Sequence, residues 1–341
     1  MECGKEKPQT VKNGKITTRQ YSKRVKERLE SFMSKTQYIS IDHGYHNVKT
    51  VHCCFPAGVL PQYHKPYSLK DVLEYDGRYY LIGGGRQPIQ ENKMETEDYY
   101  LMTLAAIAKE IEYQNADRTA RVYLAAGLPL TSVNRDKELF QDYLVRNRQS
   151  VMFRFEGQSY VITVVGATVF PQGFAGAILR DEYLKEPSIL VADIGGWTVD
   201  IMRVDNNRPD VESFHSKPYG VICCLDTITE KVRGTLGLSL TPAQIESFLR
   251  SGVSTLDDLT LQLIDEEARK YTRNVLATIR EGGFDIRAMP VIFMGGGAVL
   301  IQRYLPTCNK RMRYVVMEDI KLNALGYEAL VNKMRLDSNS G

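Results

Sequence analysis

Val191-Ala192-Asp193-Ile194-Gly195-Gly196-Trp197-Thr198-Val199-Asp200 is the stretch of this 341-residue chain that decides its fold. An apolar strand runs into an aspartate, a glycine turn and a second strand. A weaker copy lies upstream at Ile39-Ser40-Ile41-Asp42-His43-Gly44-Tyr45-His46-Asn47-Val48-Lys49. Glycine turns let backbone N–H groups converge into a nest for phosphate oxygens, and glycine tolerates positive φ and close approach. A carboxylate just before each turn, Asp42 or Asp193, suits Mg2+ held largely through water. Lys49 adds a point charge and Thr198 a hydroxyl. Two such turns facing each other would hold a metal-bound polyphosphate from both sides, where the protein mainly positions groups and neutralises charge.

Further along, the apolar run Val291–Met294 ends in Gly295-Gly296-Gly297. The competing nucleotide signatures G-x-x-x-x-G-K-[ST] and G-x-G-x-x-G do not occur. Around these motifs, periodicity predicts an alternation of strands and helices. Tyr38–Ile41 pairs with a strand Val48–Cys54, and Asp76-Gly77 turns a hairpin between Val72–Tyr75 and Tyr79–Ile82. A helix capped by Asp98 runs to Gln114, a strand covers Arg121–Ala126, and a polar helix covers Ser132–Asn147. Val151–Phe155 pairs with Ser159–Val165, and a helix leads from Pro171 to about Leu184.

The pattern then restarts. Ile189–Asp193 is a strand, and Thr198–Val204 pairs with Val211–His215 over Asp205-Asn206-Asn207. Helices follow Gly220, start at Thr241-Pro242 and span Leu256–Glu281. A strand near Arg313–Val316 and a helix near Asp319–Met334 close the chain. Repetition of order and type implies a duplicated α/β fold. The expected domains are a basic extension over 1–36, a first domain over 37–185 with 312–336 packing back on it, and a second over 186–311.

The ordered set I-D-H-G-Y-H-N-V-K, V-A-D-I-G-G-W-T-V-D and V-I-F-M-G-G-G-A resembles the phosphate 1, phosphate 2 and adenosine motifs of the actin-fold ATPases. Within that superfamily the chain is most similar to the ParM/StbA plasmid-segregation actins. Ala126-Gly127-Leu128-Pro129-Leu130 and Asn323-Ala324-Leu325-Gly326-Tyr327 add to the likeness, which covers roughly Tyr38 to Met334. The resemblance implies the actin-like, duplicated ribonuclease-H-like fold, with two domains closing on Mg-ATP. It puts Asp42 and Asp193 near the metal, Gly44, Asn47 and Lys49 on the first phosphate loop, and Gly195, Gly196 and Thr198 on the second. Gly295, Gly296 and Gly297 would let adenine approach the backbone, and Glu230 would lie near the ribose. Gln172 falls where the family orients the attacking water; an amide positions water and is no effective general base, so slow hydrolysis is expected. Trp197 departs from the small hydroxyl residue often found there. Its ring packs over the cleft or fills the core, with core packing the preferred reading.

Function is expected to follow: a filament-forming ATPase whose partners are copies of itself and a DNA-binding adaptor on a plasmid centromere. GTP stays open beside ATP, because backbone glycines do not read the purine edge. An actin-fold sugar kinase, with Asp200 as base, and an actin-fold chaperone or cell-division protein are the alternatives.

Charge fits the indirect link to DNA. Of the net +3, residues 1–36 carry ten Lys/Arg and four Asp/Glu, leaving 34 against 37 in the body. A mildly acidic body does not suggest direct DNA binding. The basic arm, with a plausible helix over Arg19–Lys35, reads either as a partner-binding tail or as residues upstream of a true start at Met33. No apolar run approaches the roughly 20 residues that cross a bilayer, and the polar N-terminus lacks a secretory h-region. The six cysteines form no C-x-x-C pair, which reads as reduced thiols in the cytoplasm. His43, His46, His52 and His64 crowd Cys53 and Cys54, but strand alternation would split His52 and Cys54 from Cys53, so zinc is rejected. His43 and His46 are instead expected to donate hydrogen bonds near phosphate or to sit in solvent.

Overall fold

The computed structural model describes residues 36–85, 92–146, 149–179 and 185–339. The basic arm before Thr36 and the far end of the helix expected to reach Leu184 lie outside the described residues.

The first half builds β1 (Thr36–His43), β2 (Asn47–Thr50), β3 (Cys54–Pro56), β4 (Val59–Gln62), β5 (Val72–Tyr75) and β6 (Arg78–Ile82). These are followed by α1 (Asp98–Tyr113), β7 (Thr119–Leu128), α2 (Leu130–Val145), β8 (Ser150–Phe155), β9 (Gln158–Pro171) and α3 (Phe174–Ala177). The second half builds β10 (Ser188–Ile194), β11 (Val199–Asp205), β12 (Arg208–Pro209), β13 (His215–Lys217), α4 (Val221–Leu236), α5 (Pro242–Ser251) and α6 (Asp258–Glu281). It ends with β14 (Val291–Met294), α7 (Gly296–Ile301), α8 (Leu305–Cys308), β15 (Tyr314–Val316) and α9 (Leu322–Asn339).

Two sheets result, in the orders β3-β2-β1-β7-β9-β8-β5-β6-β4 and β12-β11-β10-β14-β15. Each contains the same unit. Three antiparallel strands come first, with the earliest innermost, and two more follow beside it. β7 runs parallel to β9, and β10, β14 and β15 run parallel to one another. The duplicated α/β architecture read from sequence is therefore present.

Burial explains the strand chemistry. β10 is buried from Ile189 to Ile194, as a central strand covered on both faces must be. The first core gathers α1, β7 and β9 around Leu104, Ile107, Leu124 and Ile162; the second gathers α4, α6 and β14 around Ile228, Val275 and Phe293. Truncating one such residue to alanine costs about 2–5 kcal/mol. The extra strand β4 closes the edge of the larger sheet and carries Pro61, which cannot donate to another strand. The reversal between β5 and β6 is written in Asp76 and Gly77, both at positive φ (50° and 70°). Thr241 and Gln244 form a reciprocal capping box at the start of α5, worth about 1 kcal/mol.

Four local expectations change. The strand expected over Val48–Cys54 breaks at residues 51–53, where the Thr50 hydroxyl accepts from Cys53 N (2.9 Å) and closes a turn. The alternation argument that separated His52 from Cys53 therefore does not hold. His52 instead donates its backbone N–H to Glu110 Oε1 (2.9 Å), its ring lying 2.8 Å from Oε2. Val211–Ser213 is a 3-10 turn, because Asp210 and Ser213 side chains bond to nearby backbone and compete with the ladder. Asp98 stands inside the first turn of α1, its N–H taken by Thr96 Oγ1 (3.4 Å). Finally, β9 keeps pairing with β7 as far as Pro171, so among the described residues up to 179 the helix is the short α3.

α9 returns from the second sheet to lie against β7 and α3. Gly127 and Gly326 permit this. A Cβ on Gly127 would fall 1.9 Å from the Tyr327 hydroxyl, and one on Gly326 would fall 1.9 Å from Ala175 O.

Candidate phosphate-binding cleft

The two aspartate turns converge on one cleft lined from both halves of the fold. In the first turn, strand register sets Asp42 opposite Lys49. The consequence is an ion pair, Lys49 Nζ to Asp42 Oδ2, at 3.0 Å. Gln172, beyond the end of β9, donates Nε2 to Asp42 Oδ1 (2.9 Å). Burial alone would raise the Asp42 pKa; Lys49 and Lys93 outweigh it and hold the carboxyl below its usual range.

The second turn repeats the geometry with the opposite charge. Register sets Asp193 opposite Asp200, two buried carboxylates side by side. Burial, with Asp200 and Asp42 nearby, pushes Asp193 up to about 6, despite the hydrogen bond from Asn323 Nδ2 to its Oδ2 (3.0 Å). Burial also raises Asp200, which accepts from Thr198 Oγ1 (2.9 Å) and from the Ser216 hydroxyl.

Backbone direction completes the second turn. Gly220, Val221 and Ile222, at the start of α4, donate to the carbonyls of Trp197, Gly195 and Gly196 (2.8–3.0 Å). A planar trans peptide points its N–H opposite its C=O. The N–H groups of Gly196, Trp197 and Thr198 therefore face away from α4, toward the cleft. With the positive end of α4 behind them, they form the anion nest that the sequence pattern suggests. The turns also touch: a Cβ on Gly196 would lie 2.7 Å from His46 Cβ.

Eleven of the residues singled out in the sequence line this one cleft: Asp42, Gly44, Asn47, Lys49, Gln172, Asp193, Gly195, Gly196, Thr198, Gly295 and Gly296. Gly295, at φ 85°, holds a turn where a Cβ would sit 2.4 Å from Asp193 Oδ1. Gly296 faces open space. Two others are not brought there. Glu230 is on the exposed side of α4, whose buried face carries Leu225, Ile228 and Val232. Gly297 serves packing, since a Cβ would strike Ile194 Cγ2 at 2.3 Å and lift α7 from β10.

His43 turns away from phosphate chemistry. It is fully buried against Tyr99 and Phe140, and burial with Lys93 nearby pushes it down to about 3. Its Nε2 lies 2.8 Å from Thr103 Oγ1, whose own proton goes to Tyr99 O (2.7 Å). Nε2 is therefore the donor, in a neutral ring. His46 lies on the cleft wall 3.4 Å from Glu246, a residue of α5. Trp197 belongs to neither core; it is half-buried on the cleft wall.

Sequence reasoning missed Lys93, Asn323, Glu246 and Arg250, which also line the cleft. Asn323 was visible only as the first residue of the closing N-A-L-G-Y run. It joins two motifs, accepting from Gly173 N (2.9 Å) while donating to Asp193.

Comparison with known proteins agrees with this geometry. Residues 40–174 match the family described as "Actin like proteins N terminal domain". The crystal structure of the actin-like protein Alp7A superposes with a TM-score of 0.69 at 17% identity, covering 89% of this chain and 99% of that one. The archaeal actin homolog Ta0583, in complex with ADP, gives 0.65 at 17% identity over 87% and 100%. The Alp12 filament structure gives 0.64 at 16% identity over 88% and 100%. No curated protein matches the chain in sequence. The chain has the actin-like fold, and its residues 40–174 resemble the N-terminal domain of the actin-like proteins.

Proposed function

We propose that the chain is an actin-like ATPase that polymerises into nucleotide-dependent filaments, serving plasmid DNA segregation. The observation that carries this reading is the convergence of Asp42, Lys49 and Gln172 with Asp193, Asp200 and a turn of inward N–H groups in one cleft. The fold shared with Alp12, whose structure is a filament, and with Ta0583, whose structure holds ADP, supports it.

The donor set suits Mg2+, being oxygen-only and anionic, and a cation would offset the burial and the repulsion from Asp200 and Asp42 that raise Asp193. Asp42 and Asp193 would hold the ion, largely through water, and the ion would supply charge neutralisation for the β- and γ-phosphates. The chain's own groups do the rest. Backbone N–H groups at Gly196–Thr198 bind phosphate oxygens, and Lys49 adds positive charge. Gln172, anchored by Asp42, positions water without accepting its proton, which gives slow turnover. Residues 37–185 with 312–336 form one domain and 186–311 the other, and nucleotide between them favours association. A sugar-kinase role is less well supported: Asp200, the candidate base, is already engaged by Thr198 and Ser216. The acidic body calls for a DNA-binding adaptor at the centromere, working in the cytoplasm.

Sedimentation and light scattering with Mg-ATP, Mg-GTP, Mg-ADP or no nucleotide test this reading, with phosphate release measured in parallel. Polymer that forms with a triphosphate and decays as phosphate appears is expected. Absence of nucleotide-dependent polymer at high protein concentration would overturn it.

A further inference from the structure

Lys93 is a buried cation that none of the phosphate motifs contains. It is 5% exposed and lies on the connection between β6 and α1. Its Nζ donates to His43 O (2.8 Å) and reaches Gly127 O at 3.5 Å. Those carbonyls belong to the carboxyl ends of β1 and β7, neighbours in the larger sheet, and Gln172 follows the end of the next strand, β9. Ligands in open α/β sheets bind outside the carboxyl ends of the strands. Lys93 thus lines the cleft at the carboxyl end of the sheet that also leads into Gln172.

Burying an ammonium costs several kcal/mol unless partners compensate. Two backbone carbonyls, one at long range, and the Tyr99 ring face 5.6 Å from Nζ are modest compensation, and an ammonium has three donors. Burial, with Lys49 nearby, pushes Lys93 down to about 8 although Asp42 and Asp200 oppose this. Among the described residues, the other lysine and arginine side chains on the cleft wall are already committed. Lys49 is paired with Asp42 at 3.0 Å, and Arg250 lies 4.0 Å from Glu246.

We infer that Lys93 is a specificity-determining residue that reads the terminal phosphate, so that the cleft distinguishes a nucleoside triphosphate from a diphosphate. This rests on the nucleotide-binding reading above. The third donor of Lys93 meets a γ-phosphate oxygen, and the added negative charge compensates the buried ammonium. A diphosphate ends short of it. Because the same Nζ holds His43 O, occupancy of the terminal phosphate position also fixes the first turn.

The test is binding of Mg-ATP and Mg-ADP, measured by calorimetry, to wild type, Lys93→Met and Lys93→Arg, each checked for a native circular-dichroism spectrum. Lys93→Met is expected to weaken ATP binding about 10–100-fold while changing ADP binding less than about threefold. Lys93→Arg is expected to recover most of the ATP preference. Equal weakening of both nucleotides in Lys93→Met, or an unchanged ATP preference, would overturn the inference and leave Lys93 as a brace for the first turn. If Lys93→Met does not fold, acetylation of Lys93 in the wild-type protein, followed by mass spectrometry, decides. Stronger protection by Mg-ATP than by Mg-ADP supports the inference, and equal protection overturns it. Wild type that binds neither nucleotide would defeat the nucleotide reading itself.

Discussion

The two aspartate turns share a strand register and differ in the residue that each carboxylate faces. Asp42 looks across its strand pair at Lys49, whereas Asp193 looks across the equivalent pair at Asp200. The first carboxylate is held below its usual pKa and the second is raised to about 6. One turn is electrostatically complete within the chain; the other has excess negative charge that a cation would relieve. On the reading proposed above both carboxylates reach the metal, but only the second of these two jaws carries the excess negative charge.

The largest expected effect tests the second jaw. Asp193→Ala should lower phosphate release at least about 100-fold, since preorganised electrostatics dominate such sites. Near-normal hydrolysis would remove Asp193 from the site.

Stability should separate the jaws by sign. Asp42→Asn leaves the buried Lys49 ammonium without its counter-charge, a loss of about 3–5 kcal/mol in urea unfolding. Asp193→Asn in metal-free buffer removes a repelled buried charge, so the protein should become more stable by about 1–3 kcal/mol at pH 7. Equal losses in both variants would show that the two turns are not electrostatically distinct.

The pH dependence sharpens the same contrast. The folded-state value of Asp193, about 6, lies above the ordinary aspartate value of 3.8, so the folded state binds more protons in between. Its stabilising contribution is present below about 4 and is lost as pH rises through about 6. Metal-free wild type should therefore lose stability relative to Asp193→Asn across that window, as read by denaturant midpoints in EDTA. A constant difference between the two proteins would contradict the raised value.

Much of this contrast was legible in the chain before its structure. D-x-G-G-x-T-x-D after an apolar strand names the turn, the strand pair and the carboxylates, because each demand is local and period-two register then fixes which residues face each other. Lys49 and Asp200 follow from that register alone. The Asn323 and Lys93 contacts could not be read this way, since they depend on long-range packing. Asn323 meets Asp193 across 130 positions, and Lys93 meets His43 across 50. Trp197 is expected in the core because large aromatics usually are, but it sits in the turn between β10 and β11; His43 is expected near phosphate, but its ring packs on Tyr99 and Phe140, which are distant in sequence. Glu230 was carried over from the resemblance alone, and on α4 it falls opposite the buried stripe.

One glycine substitution probes how closely the jaws meet. Gly196→Ala would place a Cβ 2.7 Å from His46 Cβ. It should cost about 1–3 kcal/mol and hold the turns apart, weakening nucleotide binding with it.

Gly296→Ala should have the smallest effect on stability, and for that reason it separates packing from ligand approach. A Cβ there meets nothing within 4 Å, and the residue opens α7 at the cleft wall. Alanine is compatible with a helical position and reduces the entropy of the unfolded chain, so stability should hold or rise by up to about 1 kcal/mol. The added methyl group nevertheless projects into space that a bound nucleotide would share. Calorimetry should therefore show weaker ATP binding in a protein whose unfolding midpoint is undiminished. Unchanged affinity would mean that the nucleotide does not approach the backbone at Gly296. The second half's contribution to binding would then lie in the Asp193–Asp200 turn alone.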